Sequence, residues 1–375
     1  MIADNPWLDA VARMGIVAVV VPVTVIILTW LERKVIGRMQ MRLGPMHVGP
    51  YGILQGLADT IKLLSKEGVR PHSADRWTFE LAPFVIVVPV LMSLVALPFT
   101  ADIFVRNMTM GLFYILAVSG LSIVGFVMAG WGSDNKYALI GGVRAGAQLI
   151  SYEIPLILAV VAVAMVAQSL NLNVIVALQH DTPFIAYQPL TFLIFTIAGL
   201  AELYRQPFDI PVAESEVVGG PFVEYSGIRW SMFQLGEFVS MVLISVLASL
   251  IFLGGWNWPW SWLSNGDVPT AAQIVLMAVK TGAFIMFFMW MRGSMPRLRI
   301  DQLMSFCWQM LLPLALLQII LNGLVLVYDW PNIILTVLSG AAAVAAVYLI
   351  YRLARASGVR YQPSALGGQR VGSVL

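Results

Sequence analysis

Nine stretches of nearly unbroken apolar sequence divide this chain: 14–31, 81–99, 111–130, 149–169, 188–203, 237–256, 272–292, 306–328 and 332–351. A helix rises about 1.5 Å per residue and the hydrocarbon core of a bilayer is roughly 30 Å thick, so about 20 such residues cross it. Inside lipid every backbone N–H and C=O must find a partner, and a helix supplies those partners within one segment. The pattern predicts an all-α, polytopic integral membrane helix bundle, a single transmembrane domain over residues 1–375. The fifth stretch is short and the last two are tightly joined, so the expected number of spans is eight or nine. Charged residues are 11% of the chain, against roughly 25% in soluble proteins, which excludes a soluble enzyme.

Loop charges orient the bundle. With nine spans, the loops after spans 1, 3, 5 and 7 share a side with the C-terminus, and that side carries nineteen of the 22 Lys and Arg residues. Arg13, Arg106 and the intramembrane Lys280 are the others. Positive charge marks the cytoplasmic side, so the expected location is the cell inner membrane with the C-terminal tail, 352–375, in the cytoplasm. Net charge of +2 offers nothing to nucleic acid.

Two loops on that side, 32–80 and 204–236, are far longer than ordinary helix connections, and long loops are usually folded or functional. In the first, Ile53, Leu54, Leu57, Ala58, Ile61 and Leu64 recur at helical spacing, with Gln55, Asp59, Lys62 and Lys66 between them. Such a helix is too short to cross the bilayer and is expected along the interface or beside a cavity there. Trp256, Trp258, Trp260 and Trp262 read as an aromatic belt at the opposite surface.

The usual redox and nucleotide chemistry is missing from the sequence. The three histidines, His47, His72 and His180, all fall in loops, and one cysteine cannot hold an iron–sulfur cluster alone. Neither a phosphate-binding glycine loop nor a dinucleotide fingerprint is present. Any electrons must come from a partner.

Acids carry the remaining signal. Glu153 lies inside the fourth stretch, Glu202 ends the fifth and Glu237 opens the sixth. The loop between the last two carries Asp209, Glu214, Glu216 and Glu224 against only Arg205 and Arg229, on a side where bases otherwise prevail. An ionisable group in the membrane is costly unless neutralised, paired or watered. A string of carboxyls leading inward from the surface is what a proton relay requires. The competing reading makes them static ion pairs, Glu202 with Arg205 at i, i+3 among them, and has Lys280 counter a buried carboxylate.

Several ordered motifs resemble the H-type membrane subunit of respiratory complex I, the NADH-quinone oxidoreductase family. They begin with Leu31-Glu32-Arg33-Lys34, Gly37-Arg38-Met39-Gln40-Met41-Arg42-Leu43-Gly44-Pro45 and Val48-Gly49-Pro50, and run through Asp59 and Lys66-Glu67 to Ala74-Asp75-Arg76. Gly130-Trp131-Gly132-Ser133, Ala147-Gln148-Leu149-Ile150-Ser151-Tyr152-Glu153, Pro207-Phe208-Asp209, Ala213-Glu214-Ser215-Glu216 and Pro296-Arg297-Leu298-Arg299 continue the match. The resemblance implies a chamber for quinone (ubiquinone or menaquinone) as substrate, lined by the helix at 53–65 and the loop 204–224. It implies a cofactor-side set of Arg38, Arg42, Asp59, Glu67, Arg205 and Phe208 around that chamber. Glu153, Glu202, Asp209, Glu214, Glu216, Glu224 and Glu237 would form the proton path. FMN and iron–sulfur clusters would belong to partner subunits, namely the hydrophilic quinone-module subunits, with further membrane-arm subunits alongside in the bilayer. The chain departs from the family pattern at Met46-His47, at Val212 where an acid is usual, and at Gln309 where a lysine is common. Two other readings remain: the homologous membrane anchor of an energy-converting hydrogenase-type complex, and an ion-coupled transporter, which the lack of an internal repeat disfavours.

Overall fold

Helix starts are written into the sequence as side-chain caps. The computed structural model describes residues 6–258 and 269–359. Asp75 accepts a hydrogen bond from the Thr78 backbone N–H at 3.1 Å and starts α3 (Arg76–Ser93). Asn135 accepts from Tyr137 N–H at 2.9 Å and starts α6 (Lys136–Ala167). Such caps satisfy donors that the first helical turn leaves open. Before these come α1 (Pro6–Met39) and α2 (Gln55–Ser65). Between them lie α4 (Gly111–Ser119) and α5 (Ser122–Gly132), two halves of one interrupted crossing. The chain continues through α7 (Leu172–Leu178), α8 (Phe184–Tyr187), α9 (Pro189–Glu202) and α10 (Glu214–Val217). It closes with α11 (Gly227–Phe252), α12 (Thr270–Ser294), α13 (Ile300–Phe306), α14 (Leu312–Val327) and α15 (Asn332–Val359).

The protein is an all-α, multi-pass membrane helix bundle. Among the described residues, seven helices are long and apolar enough to cross a bilayer. The first predicted stretch lies within the 34-residue α1, part of which carries no described side chains. The fifth corresponds to α9, whose 14 residues span only about 21 Å at 1.5 Å each. Outside the helices, the described residues hold one isolated bridge, Pro98 to Phe104.

Two helices begin well before the apolar windows that predicted them. α6 starts thirteen residues before 149, and α11 starts ten residues before 237. Their early turns carry polar side chains turned onto neighbouring elements, so the helix outruns its hydrophobic stretch. Close helix contact relies on missing side chains: a Cβ on Gly130 of α5 would stand 2.8 Å from the Gly142 Cα of α6. Near α14, Pro313 has no N–H to continue the ladder, and a π-turn at Cys307–Leu311 precedes it.

The buried core runs between α3, α6, α9 and α11. α2 lies against α1 and α11, with Gly56 seated on Ile26 and Thr29. Its Leu57, Ile61 and Leu64 are exposed, as an interfacial helix requires. At the far end, Trp256 is buried and Trp258 partly exposed, while Trp260 and Trp262 lie outside the described residues. So does most of the predicted tail 352–375, beyond the end of α15.

Among the described residues, Lys280 has no carboxylate partner. Its ammonium donates to the carbonyls of Leu253, Gly255 and Asn257, each at 2.7 Å. A helix end leaves carbonyls without intrahelical partners, and an ammonium carries three donors. The lysine holds the turn that leads out of α11.

Candidate functional site

The two long loops meet at one end of the bundle. The Val69 N–H donates to Ser226 Oγ at 3.2 Å, and the Leu298 N–H donates to the Pro207 carbonyl at 3.1 Å. Gln148 of α6 donates to the carbonyls of Ala201 and Phe208, both at 2.8 Å, and ties the loop after α9 to the core. Asn135 Nδ2 donates to Glu224 Oε1 at 2.6 Å, Arg144 pairs with Glu216 at 2.7 Å, and Arg229 grips Glu80 at 2.9 and 2.7 Å.

These ties frame a cavity of about 650 Å³ between α3, the α4–α5 break, the loop after α9, and α11. Glu202, Asp209, Glu214 and Glu237 stand in its wall with Arg205, Arg292 and Arg297. A second cavity of about 570 Å³ lies beside it, bounded by Arg33, Ile36, Arg42, Leu43 and Phe238. Gln206, Gln234 and Arg292 border both.

Arg205 is the hinge of the electrostatics. It is 2% exposed and donates to Glu32, which also accepts from Arg292. Its Nε stands 3.3 Å from Glu237 Oε1. Burial works against the Arg205 charge, but the Glu32 and Glu237 carboxylates outweigh it and raise its pKa above the ordinary value. The expected i, i+3 pair of Glu202 with Arg205 is not formed. α9 ends at Glu202 and Tyr204 turns the chain at φ +50°, which carries Arg205 off the helix and towards Glu32.

Asp209 pairs with Arg297 at 3.0 Å, and the same guanidinium donates to Ser215 Oγ at 3.0 Å. Burial holds the Asp209 carboxyl above the usual carboxylate range, against the pull of Arg297 and Arg292. Arg205 Nε and Nη2 and Arg297 Nε are buried without a hydrogen-bond partner among the described residues. Buried N–H groups on charged side chains are normally satisfied, so this wall suits water or a carbonyl oxygen.

The predicted residues divide into groups. Glu202, Asp209, Glu214, Glu237 and Arg205 share the larger cavity, and Arg42 borders the smaller. Glu153 lies next to Glu202, within electrostatic range. Glu216 and Glu224 are held by Arg144 and Asn135 outside the cavity wall. Phe208 packs on Tyr152 in the core, ring centroids 5.7 Å apart. Asp59 pairs with Arg33 at 2.6 Å and Lys62 at 3.2 Å, and although burial raises its pKa those cations bring it below the ordinary value. Arg38 and Glu67 are exposed. α2 contributes no wall to either cavity, because it is Gly56 that it turns to the bundle.

Sequence reasoning missed Glu32 and Arg292 as site residues. The available signal was position: Glu32 directly follows the first apolar stretch and Arg292 ends the seventh, so both sit at the loop end of the bundle.

A bundle with two long loops folded onto one end and an acid-walled cavity beneath them defines a multi-pass membrane protein built to handle charge in its interior. Residues 12–323 match the NADH dehydrogenase family. The chain is 48% identical over 323 residues to the NADH-quinone oxidoreductase H subunit of Geobacillus kaustophilus (strain HTA426), covering 85% of this chain and 95% of that relative. It is 50% identical over 295 residues to the corresponding protein of Anoxybacillus flavithermus (strain DSM 21510 / WK1), covering 78% and 87%. Against that of Dehalococcoides mccartyi (strain CBDB1) identity is 43% over 317 residues, covering 84% and 87%. The chain belongs to the family of NADH-quinone oxidoreductase H subunits.

Proposed function

We propose that this chain is the quinone-chamber membrane subunit of a proton-translocating NADH:quinone oxidoreductase, and that it couples quinone reduction to proton pumping. The observation that carries the reading is the pair of adjoining cavities: the smaller sets Arg33, Arg42 and Arg292 beside Ile36, Leu43, Phe238 and one carboxyl, Glu32, and the larger sets four carboxyls beside Arg205, Arg292 and Arg297. A quinone headgroup presents two carbonyl oxygens on an apolar ring. Arg33, Arg42 and Arg292 offer donors to those oxygens, and Ile36, Leu43 and Phe238 offer apolar contact.

Reduction of a quinone to quinol takes two electrons and two protons. Electrons come from hydrophilic partner subunits that hold FMN and iron–sulfur clusters. Negative charge arriving at the quinone competes with Glu32 for Arg292, and Arg292 faces both cavities. A change there is felt by Arg205 through their shared Glu32, and by Glu237 through Arg205. Proton affinity among Glu237, Glu202 and Glu153 then follows the charge state of the chamber. Because these acids interact, they titrate as a group.

In this reading the loops 32–80 and 204–236 and the tail 352–375 face the cytoplasm from the cell inner membrane, where the hydrophilic subunits dock. Neighbouring membrane-arm subunits receive the proton signal. Replacing Glu153 or Glu216 with Gln in the assembled complex lowers quinone reduction coupled to pumping. Wild-type coupling in both variants, with normal assembly, sinks the relay role.

A further inference from the structure

Glu153 projects from the middle of α6, and its carboxylate makes no hydrogen bond or ion pair among the described residues. Its closest feature is the break between α4 and α5. There the backbone shifts to tighter hydrogen bonds: Leu121 N–H to the Val118 carbonyl, Ile123 to Gly120 and Val124 to Leu121, each at 3.2 Å. Gly120 stands at the break. A methyl group built on it would overlap Glu153 Oε1, and would lie 3.3 Å from the carboxyl carbon and 3.6 Å from Oε2. These three are the nearest atoms outside the local backbone, so what a side chain at 120 would meet first is one carboxylate.

The flanking residues point the same way. Ser119 and Ser122 line the acid-walled cavity together with Glu202, and Glu202 is within electrostatic range of Glu153. The interrupted helix thus presents one hydroxyl on either side of the gap and no side chain at 120. A continuous helix with a side chain at 120 would close that space and push the carboxylate away from the break.

We infer that Gly120 is a positioning residue for Glu153: its missing side chain seats the carboxylate against the α4–α5 break, beside the cavity that holds Glu202. The inference rests on the reading of Glu153 as part of the proton path. Because the obstructing atoms are the far end of a flexible side chain, Gly120→Ala moves the carboxylate and leaves the backbone in place. A displacement of about 1 Å costs on the order of a hundredfold where geometry governs a step, so at least a tenfold loss is expected here.

The test uses the assembled complex in inverted membrane vesicles, with a short-chain quinone as acceptor and proton uptake read in parallel. Gly120→Ala assembles and loses at least tenfold in coupled turnover. Glu153→Asp, shorter by one methylene, withdraws the carboxylate from the added methyl, so the double variant runs at least threefold faster than Gly120→Ala alone. If Gly120→Ala does not assemble, recovery of assembly in the double variant supports the same conclusion. Wild-type turnover in Gly120→Ala, or a double variant no better than the single one, overturns the inference. Glu153→Gln separates the two failures: if it is impaired while Gly120→Ala is normal, only the positioning role falls. If Glu153→Gln itself couples normally, the proton-path reading falls instead.

Discussion

Glu32 and Arg205, 173 positions apart in sequence, form an ion pair with side chains only 7% and 1% exposed. Arg292 shares the same carboxylate, and Glu237 stands on the other side of Arg205. Taking such charges out of water costs several kcal/mol each, which mutual attraction repays only when all partners are present. The cluster therefore locks α1, α11 and α12 to the loop after α9.

Arg205→Gln leaves Glu32 buried and Glu237 half-buried with less positive charge between them. A loss of about 3–5 kcal/mol is expected for removing one member of a buried pair. The complex then melts at a lower temperature and accumulates less on native gels. An unchanged melting temperature would show that water already compensates these charges.

Asp209 predicts a pH dependence with a defined sign. Burial raises its native pKa above the unfolded value, so between the two the native state holds more protons. Stability contributed at this site falls as pH rises through that window and is recovered as pH falls below it. Asp209→Asn removes the dependence, so the melting temperature of the variant gains on wild type as pH rises through the window. Parallel curves for the two proteins contradict the assignment.

Lys280 separates stability from coupling. Lys280→Met deprives three carbonyls in the turn after α11 of their donor, and each buried group left unsatisfied costs about 1–3 kcal/mol. Thermal stability drops, while the ratio of protons moved to quinone reduced stays at the wild-type value. A changed ratio would place this lysine in the proton path.

The fold was legible because lipid imposes a single rule on every span, and apolar runs expose it directly. Helix lengths were not, since α6 and α11 continue past their apolar windows into polar packing at the loop end. Glu202 and Glu237 stood out as acids placed against lipid-like sequence, and Asp209 as one of four acids in a loop with only two bases. Glu32 and Arg292 did not, because a single charge at the end of a span reads as an orienting or surface residue. Their importance arises only when α1 and α12 come together around Arg205, a contact no local pattern encodes. The amphipathic α2 was found by its periodicity, but which face it turns to the bundle depends on Gly56.

Glu202 offers the most direct test of the account, because it lines the acid-walled cavity without an ion-pair partner among the described residues. Its replacement by Gln removes a proton site while disturbing little packing. The measurement is proton translocation and quinone reduction, recorded together in vesicles containing the assembled Glu202→Gln complex. Normal assembly with a severalfold loss of quinone-linked proton translocation is expected. Wild-type rates of both, in a fully assembled complex, would contradict it.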